Sequence, residues 1–329
     1  MRRREFIVAL AGTAFAWPRA AHSETAIPVI AILGSGAADA ASSTIQMSQL
    51  DAGMREVGLV EGRDYVFEIR WAGSDASRFD ALATELLAKN PRAVVVSTVL
   101  AAFAVQRLSR TVPIVGTGLN DPVGTGLVAS LAHPGGNITG VATMAEDLQL
   151  KLLEMLRATL PDMRRVLAVA NPTNPSTAPM LDALKKHATS KGLTIDVVNV
   201  GAPADLDAAF AGISRQSVGA VFVLTDNSLF GLASLIITRA LEAHLPTVGS
   251  FGADSFARAG GLYCYGRDQK EGFYGAARLL KKVLDGTAPG DIPFEQPTKF
   301  NLFINLKTAK SLGIEIPPTL LATANEVIE

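Results

Sequence analysis

Short apolar runs alternate with amphipathic stretches along most of the chain. Val29–Leu33, Tyr65–Trp71, Ala93–Val96, Ile114–Val115, Val166–Ala170, Ile195–Val198, Ala220–Leu224 and Thr247–Val248 have the length and composition of strands. Between them, Leu148, Leu152, Met155 and Leu156 recur at helical spacing, as do Phe273, Ala276, Ala277, Leu280, Val283 and Leu284. Strands that are apolar at almost every position have no polar face to turn to water. The alternation therefore predicts an α/β protein whose parallel sheets are covered by helices on both sides.

The pattern also repeats. Ala93-Val-Val-Val-Ser-Thr98 resembles Ala220-Val-Phe-Val-Leu-Thr225, and Val112-Pro-Ile-Val-Gly-Thr117 resembles Leu245-Pro-Thr-Val-Gly-Ser250. The separations are 127 and 133 residues, the size of a lobe, so two Rossmann-like lobes are expected. Ligands of open parallel sheets bind outside the carboxyl ends of the strands. If both lobes turn those ends inward, the loops that follow the strands line one cleft. These loops are rich in Ser, Thr, Asn, Asp and Gly, a composition that also suits ordinary turns and helix caps.

Composition removes several alternatives. The chain is 48% hydrophobic and 19% charged, with a formal net charge of −1. Beyond residue 19 it has no basic block, so nucleic acid is not an expected partner. The single cysteine, Cys264, cannot form an internal disulfide and reads as a core residue. Residues 1–23 read as a secretory signal peptide: Arg2-Arg3-Arg4, an apolar run from Phe6 to Trp17, then Ala20-Ala21-His22-Ser23. Arg3-Arg4-Glu5-Phe6-Ile7 also fits a twin-arginine export signal. Cleavage there would remove four arginines and one glutamate, leaving 26 basic and 30 acidic residues and a net charge of −4. The expected location is the periplasm.

Enzyme signatures are sparse. Gly34-Ser-Gly36 has two glycines of a dinucleotide fingerprint and lacks the third. There is no G-x-S-x-G and no H-E-x-x-H, and His133, His187 and His244 lie far apart. No catalysis, cofactor or metal is expected. An exported Rossmann-fold oxidoreductase and a ligand sensor docking on a receptor remain as alternative readings.

Ordered motifs then carry a resemblance over residues 28–315. They are Asn120-Asp-Pro-Val-Gly-Thr-Gly-Leu-Val128, Pro134-Gly-Gly-Asn-Ile-Thr-Gly140, Thr225-Asp226-Asn227, Ala259-Gly-Gly-Leu262, Tyr265-Gly266-Arg267-Asp268 and Ile292-Pro293. The chain resembles the ABC-transporter substrate-binding proteins whose better-known members bind tryptophan and tyrosine. The resemblance implies the type I periplasmic-binding-protein architecture with three interlobe crossovers, expected near Ala142, Gly266 and Gly286. The first lobe would comprise 27–142 plus 267–287, and the second 143–266 plus 288–329. It also implies a monomer that takes a small ligand and delivers it to an ABC permease in the inner membrane.

The expected ligand is a small carboxylate, an amino acid or a related acid. Candidate contacts are Ser35, Ser97, Thr98, Asn120, Asp121, Asn174, Ser176, Thr177, Thr225, Asp226, Asn227, Asp254, Tyr265 and Asp268. Ser97-Thr98, Asn174 to Thr177 and Thr225 onward precede helices, whose free N–H groups suit a carboxylate. Asp226 and Asp254 would hold an ammonium, and Asn227 either end. The aromatics expected after the first strand and after the Tyr-Gly-x-Asp motif are absent: Gly34-Ser35-Gly36 and Gln269-Lys270 stand there. Phe230, Phe251 and Tyr265 are possible replacements, whereas Phe103 reads as core. Arg267 beside the cleft reads equally as the partner of a second acidic group on the ligand or as a solvated charge.

Overall fold

The computed structural model of the 329-residue chain describes residues 27–73, 75–251 and 254–329. The export signal read at residues 1–23 lies outside the described residues. Among the described residues no helix is long and apolar enough to cross a membrane.

Two sheets form. The first contains β1 (Val29–Gly34), β2 (Val66–Trp71), β3 (Ala93–Val96), β4 (Ile114–Leu119) and β5 (Ile138–Ala142), in the order β2-β1-β3-β4-β5, all parallel. The second contains β6 (Arg165–Ala170), β7 (Thr194–Asn199), β8 (Ala220–Val223), β9 (Thr247–Gly249), β10 (Tyr263–Arg267), β11 (Phe300–Asn305) and β12 (Glu326–Ile328), in the order β12-β11-β10-β9-β8-β6-β7. The expected α/β architecture of two Rossmann-like sheets is present.

The internal repeat is visible in the pairing. The order β2-β1-β3-β4-β5 matches β7-β6-β8-β9-β10, so the two similar sequence landmarks occupy equivalent strands. Even a loop bond recurs: Val94 N donates to Pro113 O at 2.8 Å, and Val221 N donates to Pro246 O at 2.9 Å. Side-chain alternation explains why these strands are apolar throughout. On β1, Ala31 and Leu33 enter one core, while Ile30 and Ile32 enter the core on the other face. On β8, Val221 and Val223 face one way, and Ala220 and Phe222 the other. Cys264 is fully buried in one of the second lobe's cores.

The sheets are not wholly parallel, as the sequence pattern had implied. β11 runs antiparallel to β10. The reason is the route of the chain. After β10 it leaves the second sheet, and the helix Gln269–Leu284 packs on the first sheet against β4 and β5. The chain then re-enters from the cleft side, so β11 must run backward beside β10.

The third crossing, expected near Gly286, comes later. Ile292 and Phe294 are buried in the two cores of the first lobe. Glu295 N donates to Gly140 O and Ala142 N donates to Glu295 O, both at 2.9 Å. These apolar side chains and backbone bonds hold residues 289–295 to β5, so the chain departs only after Glu295.

Candidate functional site

A cavity of about 120 Å³ lies where the carboxyl ends of both sets of strands meet. The first sheet contributes Ser35, Ser97 to Leu100, and Thr117 to Asn120 apart from Leu119; the second contributes Asn171, Asn174, Asp226, Ser250 and Arg267 among others. Ser35, Ser97, Asn120, Asn171, Asp226 and Ser250 lie just past strand ends, and Thr117, Gly118 and Arg267 are among the last residues of β4 and β10.

Of the sequence-derived candidates, Ser35, Ser97, Thr98, Asn120, Asn174, Ser176, Thr225, Asp226 and Asn227 line this cavity. Most of their polar atoms already have partners. Thr98 caps the helix Val99–Leu108 by accepting from Ala101 N at 3.1 Å. Ser97 Oγ accepts from Ser35 N at 3.3 Å. Asp226, 7% exposed, caps the helix Asn227–Gly231 by accepting from Leu229 N at 2.9 Å. The same carboxylate accepts from Asn171 Nδ2 at 3.3 Å and from Asn174 Nδ2 at 2.7 Å.

Side-chain hydrogen bonds join the lobes across the cavity, among them Gln269 Nε2 donating to Phe251 O at 3.1 Å. Asn120 Nδ2 donates to Thr225 O at 3.0 Å, and Ser176 Oγ donates to Asn120 O at 3.1 Å. Asn227 Nδ2 donates to Ser97 O at 3.1 Å. Thr143 Oγ1 donates to Asn120 Oδ1 at 2.6 Å and fixes the amide's orientation. Asn120 and Asn227 are thus engaged in bridging the lobes.

Five candidates fall outside the lining, each for a local reason. Asp121 adopts φ 39° and accepts from Gly124 N at 2.7 Å, closing a turn. Thr177 is buried and donates to Asn171 O at 2.6 Å. Asp254 is paired with Arg258 at 2.7 Å one helical turn away, on the surface. Tyr265 packs against Phe300 with ring centroids 6.3 Å apart. Asp268 caps the helix Gln269–Leu284 by accepting from Lys270 N at 2.9 Å.

Other residues complete the site. Phe230 and Phe251 form an aromatic wall with centroids 5.0 Å apart, and Phe79 and Phe273 line the cavity as well. Phe103 packs against the first lobe's core. Ser250, 3% exposed, lines the cavity with its Oγ unbonded.

Arg267 is the cation of the lining. It ends β10, so its side chain is delivered to the point where the chain crosses between lobes. Two glycines make room for it. A Cβ on Gly118 would stand 2.8 Å from Arg267 Cζ, and one on Gly272 would stand 3.1 Å from it. Burial pushes the guanidinium down to about 10, against the opposing pull of Asp268 and Glu271, so it remains a cation at neutral pH. Its Nη1 is out of contact with solvent and has no hydrogen-bond partner. A buried guanidinium in that state favours an incoming anion.

Comparison with known proteins agrees with this architecture. Residues 26–328 match the family model described as ABC transporter substrate binding protein. A tyrosine-binding protein of Clostridioides difficile is 23% identical over 263 residues, 80% of this chain and 74% of that one. Among solved structures, a conserved domain protein of Vibrio cholerae superposes with a TM-score of 0.85 at 25% identity, covering 92% of this chain and 99% of that one. An ABC domain from Streptococcus pneumonia in complex with L-Trp superposes with a TM-score of 0.84 at 23% identity and the same coverage. The fold is that of the type I periplasmic binding proteins.

Proposed function

The chain belongs to the ABC transporter substrate-binding protein family, and from that premise we propose that it is an exported, periplasmic receptor for a small carboxylate-bearing ligand. The ligand, an amino acid or related acid, binds in the cleft between the lobes, and the closed form delivers it to an inner-membrane ABC permease. The observation that carries this reading is Arg267, which lines the cavity and whose Nη1 is shut off from solvent without a hydrogen-bond partner. A carboxylate placed there would form charge-assisted bonds that the protein alone leaves unmade. Ser250 Oγ offers a further donor in the same cavity.

Binding and closure are linked in this scheme. The open and closed forms differ by rotation at the crossovers, and contacts from both lobes favour the closed one. Asn227→Ala removes the bond to Ser97 O. A hydrogen bond of this kind contributes roughly 0.5–1.5 kcal/mol. Ligand affinity should therefore fall by up to about tenfold, with at most a small drop in the unfolding midpoint. Calorimetry that returned the wild-type affinity would remove Asn227 from the closure mechanism.

The proposed function itself is tested by a thermal-shift screen of protein stripped of ligand by unfolding and refolding. The panel covers amino acids, aromatic acids and small carboxylates. A ligand at a hundred times its Kd stabilises the folded form by about 2.7 kcal/mol. The expected result is a clear rise in Tm with carboxylates and none with neutral sugars. Stabilisation by sugars alone would overturn the carboxylate reading.

A further inference from the structure

The cavity holds two charged residues among its described lining, Arg267 and Asp226, and they are not in equivalent states. Arg267 has a buried N–H with nothing to bond. Asp226 is already engaged by three donors: one oxygen accepts from Leu229 N and Asn171 Nδ2, and the other from Asn174 Nδ2. A carboxylate has about four acceptor positions, and three of these are filled by groups that hold two loops and a helix start in place. Drawing Asp226 toward a ligand would break the cap of Asn227–Gly231. Ser250, which also lines the cavity, has an Oγ shut off from solvent without a partner, and a hydroxyl can donate to an anion.

The site is therefore asymmetric toward ligand charge. It presents unbonded donors for a carboxylate, whereas the one carboxylate in its described lining is already committed to three internal donors. A zwitterionic amino acid entering it would lose the hydration of its ammonium without a dedicated counter-charge. Phe79, Phe230, Phe251 and Phe273 add aromatic surface to the lining, which suits a ring. At about 120 Å³ the cavity is small beside the roughly 300–1,000 Å³ typical of drug-sized ligands.

We propose that the ligand is an amine-free aryl or arylalkyl monocarboxylate, its carboxylate on Arg267 and Ser250 and its ring against the phenylalanines. This rests on the carboxylate reading above and narrows it to an anion in preference to a zwitterion.

The test compares probes that differ in one group. Stripped protein is titrated calorimetrically with benzoate, phenylacetate, 3-phenylpropanoate and cinnamate, and with L-phenylalanine, which is 3-phenylpropanoate bearing an ammonium. 2-Phenylethylamine and short aliphatic acids complete the set. The expected result is binding of at least one aryl carboxylate, with 3-phenylpropanoate at least about tenfold tighter than L-phenylalanine. Equal or tighter binding of L-phenylalanine would overturn the inference and leave the carboxylate reading standing. So would binding confined to aliphatic acids. If no carboxylate binds up to about 1 mM, or if 2-phenylethylamine alone binds, the carboxylate reading fails together with the inference.

Discussion

Arg267→Met should remove ligand binding almost entirely while leaving the ligand-free protein at least as stable as the parent. The two effects have one cause. In the free protein the guanidinium is buried, one of its nitrogens has no partner, and its pKa is pushed down to about 10 by lost hydration. Methionine fills similar length without a charge to desolvate, so the empty protein loses nothing by the change. In the complex the same substitution leaves the ligand's carboxylate buried without its partner. Truncating one member of a buried, hydrogen-bonded charge pair costs about 2–5 kcal/mol. Kd should therefore rise by roughly 30-fold to several-thousand-fold. Calorimetry gives the affinity and a thermal melt gives the stability of the empty form. Affinity retained within about threefold would show that the ligand is anchored elsewhere.

Gly272→Ala should lower both stability and affinity, although alanine is ordinarily the better residue inside a helix by about 1 kcal/mol. Gly272 lies one turn into Gln269–Leu284 and faces β4. A Cβ there would fall inside contact distance of the Thr117 carbonyl and of Arg267 Nη1. The side chain can swing away, but the carbonyl belongs to the strand, so the helix must move off the sheet. Overpacking of this kind typically costs 1–3 kcal/mol, which outweighs the gain in helix propensity. The displaced guanidinium should weaken carboxylate binding in the same variant. A denaturant midpoint equal to or above the parent's would show that the helix yields without cost.

Both predictions concern residues whose importance was only partly legible in the chain. Arg267 was noticed because it stands in the Tyr-Gly-x-Asp motif, beside a strand end. Nothing local revealed that its Nη1 is shut off from solvent or that Gly118 and Gly272 make room for it. Ser250 ended a recognised landmark and still was not singled out, because a serine after a strand is usually a turn residue. Thr98 and Asp226 stand where the sequence itself puts helix starts, yet each caps its own helix, and Asp268 does the same. Capping and ligand binding call for the same residue types at the same position, so sequence cannot divide them. Asp254 shows the other failure: its partner Arg258 was one turn away in the sequence all along.

Periodicity, turn residues and the lobe-length repeat were enough to determine two α/β lobes and the polar loops that follow their strands, because these properties depend on neighbours within a strand, a helix turn or a loop. The tertiary structure decided the reversed β11, the late departure after Glu295 and the asymmetry of charge in the cavity. Each depends on which groups from distant segments use up one another's hydrogen-bonding capacity and which are left open. That allocation exists only once the chain has crossed between the lobes and closed.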